Sequence, residues 1–301
     1  MRYRVENEKI RVEILSRGAQ MCSIRKKNET PEMEYLWQPD PVTWTDQAPN
    51  LFPYVGRMYG KKYEYQNREY SMEIHGFAMT EEFICQKIRP DYLVCVLEDS
   101  EETRMRYPFG FRFEIHYELV ESTIRTYYIV KNKESKDMYF GLGGHPGFCV
   151  PLREEEHFEA YYLQFPQGVM PEKVLMTDTG YVLEGTEPFS LEADYRLKLH
   201  HHLFDHDAIV LCRMGHEVQL CGPQGAVAAV RYPKMDYLGL WHWPGTEVPY
   251  ICIEPWTSLP SRYEVTEKLE EKPDLIRLGA YEDYINAVSY THLRAHETRR
   301  H

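Results

Sequence analysis

The chain has 301 residues, 43% hydrophobic and 27% charged, with a formal net charge of −12. This is the composition of a globular protein, and a single all-β unit can reach this length. It holds no Lys/Arg-rich block and no bilayer-long apolar run, and the opening MRYRVENEKIRVEIL has no apolar stretch after its basic residues; nucleic acid, membrane and secretion are therefore not expected, and a cytoplasmic location is.

KIRVEIL (9–15) is the first strand candidate. In NLFPYVGRMYG (50–60), Arg57 follows a glycine among turn formers, as a solvated turn residue or a binding group. In MEIHGFA (72–78), His75 ends a short possible strand. YLVCVLED (92–99), FRFEIHYEL (111–119) and IRTYYIVKN (124–132) follow. The second of these sets Phe111, Phe113, Ile115, Tyr117 and Leu119 on one face and Arg112, Glu114, His116 and Glu118 on the other. That is the period-two signature of a half-buried antiparallel strand.

GLGGHPGFCVPL (141–152) places His145 between a glycine pair and a proline. Gly143 and Gly144 allow an unusual backbone and Pro146 fixes the next φ, so the ring is either a satisfied core group or is aimed into a pocket. HHLFDHDAIVL (201–211) clusters His and Asp before an apolar run. Adjacent strand residues point to opposite faces, so His200, His201 and His202 are not expected to hold a metal. HEVQLCG (216–222) and GAVAAVRY (225–232) continue the strand pattern.

YICIEPWTSLP (250–260) carries the strongest chemical signal. Ile251 and Ile253 share one face; Tyr250, Cys252 and Glu254 share the other. A carboxylate at an apolar strand end is costly unless paired or functional, and desolvation there raises its pKa toward that of a useful base. A buried salt bridge explains it equally well. RYEVTEKLEEK (262–272) is the best helix candidate. The seven cysteines are odd in number and show no CxxC spacing, so they read as reduced thiols and not as a disulfide or zinc framework. Residues 288–298, VSYTHLRAHET, resemble the translation of a transposon-end sequencing adapter. One domain is expected over 1–287, with 288–301 a non-native tail in which His292, His296 and His301 carry no function. Many short strands with few helices between them mean an antiparallel all-β sandwich or barrel.

NLFPYVGRM, IHGFA, GGHPGF, DAIVL and CIEPW occur in this order along the chain. In that order they resemble the aldose 1-epimerases, or galactose mutarotases, and most closely the LacX-like branch, over about residues 10 to 285. The resemblance implies a galactose-mutarotase-like β-sandwich (supersandwich). It implies interconversion of the α and β anomers of a free aldose such as galactose or glucose, without cofactor or metal. It implies His145 as general acid and Glu254 as general base, with Arg57, His75 and Asp207 holding sugar hydroxyls. Asp205, two residues away and expected on the same strand face, competes with Asp207 for that last role. Gly147 departs from the family, which often has a larger residue there. Trp241, Trp243 and Trp256 are candidates both for stacking on a sugar and for core packing. A monomer or homodimer is expected. The rival readings are a non-catalytic sugar-binding sandwich, a hexose-6-phosphate mutarotase, and a lyase or glycosidase on the same architecture.

Overall fold

The computed structural model describes residues 1–27 and 32–292. Two large antiparallel sheets dominate it. The nine-stranded sheet runs, in spatial order, Arg196–Lys198, Tyr162–Gln164, Glu217–Gly222, Gly225–Arg231, Asp283–His292, Thr123–Asn132, Phe111–Val120, Tyr92–Glu98 and Ile84–Arg89. The other runs Val182–Pro188, Glu172–Met176, Ile209–Cys212, Tyr237–Trp241, Tyr250–Trp256, Gly143–Gly144 and Asn50–Leu51, with Gly147–Cys149 also paired to Tyr250–Trp256. A three-stranded meander, Arg2–Glu6, Ile10–Leu15 and Met21–Lys26, precedes them.

The alternation explains the layering. Phe111, Phe113, Ile115, Tyr117 and Leu119 are all buried and join one core with Ile251, Ile253, Leu238 and Leu240 from the other sheet. Phe52 stacks on Phe113 at 4.4 Å between centroids, so the segment leading to Arg57 is anchored in that core. Truncating such a ring to alanine typically costs about 3–5 kcal/mol. The architecture is the expected antiparallel β-sandwich. No helix of the described residues is long and apolar enough to cross a membrane.

Four expectations change. The 262–272 segment is not a helix. Glu267 draws the Arg262 backbone N–H and guanidinium onto its carboxylate, and Leu269 N donates to Glu64 O. The Leu269 N–H, committed to Glu64, is lost to an i→i−4 ladder, and the bond of that type that forms in the segment is Lys272 N–H to Lys268 O. The one α-helix among the described residues is Glu101–Arg106, capped reciprocally by Ser100 and Thr103.

Cys85 and Cys95 form a disulfide across the facing strands Ile84–Arg89 and Tyr92–Glu98, where they are direct register partners. The other five cysteines are free.

Gly143 and Gly144 do not take left-handed backbone; they pair in the sheet. Glycine is needed there for space. A Cβ on Gly143 would meet Trp256 Cδ1 at 2.8 Å, and one on Gly144 would meet the Tyr290 and Tyr128 hydroxyls at 3.0 and 3.1 Å.

Residues 288–292 belong to the sandwich: they complete the strand Asp283–His292, paired on both sides, with Val288 and Tyr290 in the core. His296 and His301 lie outside the described residues.

Candidate active site

Strand Tyr250–Trp256 lies inside its sheet, between Tyr237–Trp241 and the short strands Gly143–Gly144 and Gly147–Cys149. Its alternation sends Ile251 and Ile253 into the main core and Tyr250 and Cys252 into a second cluster with Trp37 and Trp44. Glu254 follows on that second face and lines a cavity of about 320 Å³. His145 occupies the junction between the two short strands. Its backbone N–H donates to Pro49 O at 2.9 Å, and Ile253 N–H donates to Pro146 O at 3.2 Å. This stitching brings His145 Nε2 to 3.2 Å from Glu254 Oε2.

His75 reaches the same cavity from a turn, not from a strand end. Its φ is +62°, and Gly56 beside it has φ +70°. His75 N–H donates to Gly56 O at 2.9 Å, and Gly56 N–H donates to His75 Nδ1 at 3.1 Å. Nδ1 is therefore an acceptor, and the neutral ring carries its hydrogen on Nε2. Gly56 is required by space as well as by φ, because a Cβ there would lie 2.3 Å from Pro260. The rings of His75 and His145 stand edge-on, 5.5 Å apart.

Arg57 and Asp207 line the cavity with them. Gly180, at φ +79°, fits between the two: a Cβ there would be 3.2 Å from Asp207 Oδ2 and 3.4 Å from Arg57 Nε. Asp205 and Asp207 do not share a strand face. Both lie in the turn after the 3₁₀ helix His201–Phe204, and the strand begins only at Ile209. Asp205 turns to His202 at 2.9 Å, away from the cavity that Asp207 enters at φ +74°.

Trp44, Trp241, Trp243 and Trp256 supply aromatic walls. Trp256 is largely a core residue, packed with Leu51, Val55 and Val210; Trp243 is 39% exposed at the rim. Trp44, Asp46 and Gly180 were not singled out by sequence, since each stands far along the chain from His145 and Glu254 and in no motif.

Burial lowers the His145 pKa well below the usual histidine value, and His75 adds to this. Burial raises the Glu254 pKa well above the usual carboxylate value; the negative charge of Asp207 adds to this and the Trp256 indole opposes it. His75 is itself pushed down to about 3 by burial and then by Arg57. Both shifts at the central pair favour the neutral forms, carboxyl on Glu254 and imidazole on His145, and two groups this close titrate together. His145 Nδ1 and Glu254 Oε2 have no hydrogen-bond partner among the described residues. Buried polar atoms left in this way are costly in a purely structural role.

The metal-type donors that converge among the described residues are His145, Cys252 and Glu254, whose ligand atoms lie within 4.8 Å of one another. His200, His201 and His202 do not converge: His201 Nδ1 contacts His242 Nε2 at 3.2 Å, while His202 faces Asp205. Taken together, the cavity offers one proton donor and one acceptor side by side. Around them stand aromatic walls and a polar edge of Arg57, His75 and Asp207. Such a site can move a proton between two neighbouring oxygens of a ligand that has both an apolar face and hydroxyls.

Residues 1–278 match the family model described as aldose 1-epimerase. The chain is 32% identical over 289 residues to the plasmid-encoded protein LacX of Lactococcus lactis subsp. lactis, covering 92% of this chain and 95% of that protein. A crystal structure of a galactose mutarotase related enzyme from Lactobacillus acidophilus superposes with a TM-score of 0.90 at 29% identity, covering 99% of each chain. A galactose mutarotase-like protein from Lactobacillus casei gives 0.90 at 25% identity, covering 97% of this chain and 99% of that one.

Proposed function

The chain belongs to the aldose 1-epimerase family, and from that premise we propose that it interconverts the α and β anomers of a free aldose such as galactose or glucose. The observation that carries this reading is the contact of His145 Nε2 and Glu254 Oε2 at 3.2 Å in a cavity walled by tryptophan.

An aldopyranose is a cyclic hemiacetal. To open it, the anomeric hydroxyl must lose a proton and the ring oxygen must gain one. Both oxygens are bonded to the same carbon, so an acid and a base that serve them must be neighbours. With one proton shared between them, as carboxyl and imidazole or as carboxylate and imidazolium, the pair offers one donor and one acceptor. Following the family resemblance, we assign the acceptor to Glu254, which takes the hydroxyl proton, and the donor to His145, which protonates the ring oxygen; the reacting form is thus carboxylate and imidazolium, which burial of both groups disfavours against carboxyl and imidazole. The freed aldehyde rotates about its bond to the next carbon and closes on the other face, with the roles reversed. No nucleophile is required. Acid–base catalysis of this kind contributes typically ~10²–10⁴-fold.

In this reading Arg57 and the Nε2–H of His75 donate to sugar hydroxyls and Asp207 accepts from them, while Trp241 and Trp243 meet the apolar face of the ring. A phosphorylated sugar suits the cavity less well. Its lining carries Asp46 and Asp207 against the single arginine, Arg57. A merely sugar-binding role would leave the buried His145–Glu254 contact without a purpose.

The test is polarimetry on freshly dissolved α-D-galactose and α-D-glucose in a buffer that catalyses mutarotation poorly. The reading expects the approach to equilibrium to accelerate in proportion to protein. Acceleration of hexose 6-phosphates alone would move the substrate class. Binding without acceleration of any sugar would support the sugar-binding protein.

A further inference from the structure

We propose that Trp44 is a positioning residue for His145: its indole, seated on the bare backbone of Gly147, fixes the plane of the imidazole. This inference rests on the acid–base reading above.

A catalytic histidine is commonly oriented by a hydrogen bond to its second nitrogen. His145 Nδ1 has no such partner among the described residues, and the contact of Nε2 with Glu254 Oε2, at 3.2 Å, leaves that oxygen without an aligned hydrogen bond. Packing must therefore set the orientation. Three rings surround the imidazole. Trp241 stands edge-on at 5.7 Å and 85°, and His75 edge-on at 5.5 Å and 83°. Trp44 lies tilted by only 31° at 5.0 Å. Edge-on neighbours limit where the ring sits; the near-parallel one resists its rotation.

Trp44 is itself held. Its backbone oxygen accepts from Trp37 Nε1 and from Asp40 N–H, each at 3.0 Å. Its indole packs on Tyr250 at 5.3 Å and meets Trp241 edge-on at 5.7 Å. On Gly147 a Cβ would lie 2.6 Å from Trp44 Cζ3. Gly147 has no left-handed backbone, so glycine is there to admit the indole. This accounts for the small residue at that point of GGHPGF.

The experiment compares Trp44→Ala, Trp44→Phe, Gly147→Ala and the double variant Gly147→Ala/Trp44→Phe in full-length protein. The readouts are kcat and KM for anomer interconversion and the His145 ring signals in ¹⁵N-labelled protein. Misplacing a catalytic group by about 1 Å costs on the order of 10²-fold. Trp44→Ala should therefore lose roughly 10- to 100-fold in kcat with KM within about threefold, and Trp44→Phe should recover most of that loss. Gly147→Ala should also lower kcat, and the smaller ring in the double variant should restore it. The His145 ring signals should change from one set in the wild type to averaged or multiple sets in Trp44→Ala. A raised KM with unchanged kcat would make Trp44 a sugar platform and overturn the proposal. So would unaltered His145 signals in Trp44→Ala. If the wild type accelerates no sugar, the acid–base reading fails, and the ring signals alone decide whether Trp44 orients His145.

Discussion

His145 and Glu254, 109 positions apart in sequence, meet at 3.2 Å between Nε2 and Oε2, and the backbone beside them is joined by the Ile253 N–H donating to Pro146 O. Each is buried, at 8% and 1% exposure. Two ionisable groups this close and this dry titrate as one unit.

The pH dependence follows from that unit. Activity needs one proton on the pair. His145 is depressed by burial and by His75, so a second proton is added only below the ordinary histidine value of about 6.5. Glu254 is raised by burial and by Asp207, so the last proton leaves only above the ordinary carboxylate value of about 4.3. The profile of kcat/KM against pH should be bell-shaped with both limbs displaced in these directions. Asp207→Asn removes a negative charge that raises Glu254, so the alkaline limb should move to lower pH, whatever happens to the height of the bell. A limb that stays put or moves up would contradict the assignment.

Gly180→Ala should separate binding from chemistry. The new Cβ would crowd Asp207 Oδ2 at 3.2 Å and touch Arg57 Nε at 3.4 Å, in a backbone at φ +79°. A left-handed alanine costs about 1–2 kcal/mol. KM should rise by roughly tenfold or more while kcat stays within about threefold, because the His145–Glu254 pair is untouched. Loss of kcat at unchanged KM would place Arg57 and Asp207 in the chemical step.

His292→Leu should stabilise the protein. His292 is 2% exposed, and neither ring nitrogen has a partner among the described residues. Its pKa is pushed down to about 3 by burial and then by Lys26. A folded-state pKa below the unfolded value means that stability is lost as pH falls from about 6.5 toward 3. The gain on substitution should be about 1–3 kcal/mol at pH 8, the cost of an unsatisfied buried polar group, and larger at pH 5. Thermal unfolding at the two pH values checks it. A lower midpoint at both would show that the imidazole is satisfied.

Much of this molecule was legible in its residues. Period-two runs such as 111–119 gave strand, face and core together, because a half-buried sheet imposes that pattern on its side chains. His145 and Glu254 stood out as polar groups in apolar strand ends. Their nearness did not, because it depends on which strands become neighbours. Trp44 and Gly180 were invisible for the same reason. Cys85 and Cys95 are joined only because the turn between their strands sets them opposite each other, and spacing alone does not advertise that. The 262–272 segment has a helix-like charge pattern, but the backbone N–H of Leu269 within it is taken by Glu64 O, a residue far away in sequence. Gly143 and Gly144 suggest an unusual backbone, yet their neighbours Trp256 and Tyr290 require only that no Cβ be present.

The most direct measurement is exchange between the α and β anomeric proton signals of galactose and glucose at equilibrium, followed by NMR with wild type, Glu254→Gln and His145→Asn. The account predicts protein-dependent exchange in the wild type and a loss of at least ~10²-fold in each variant. Sugar binding by Glu254→Gln should stay within about tenfold, since the amide keeps the shape and loses the base. Wild-type exchange rates in Glu254→Gln would remove this carboxyl from the reaction and contradict the account.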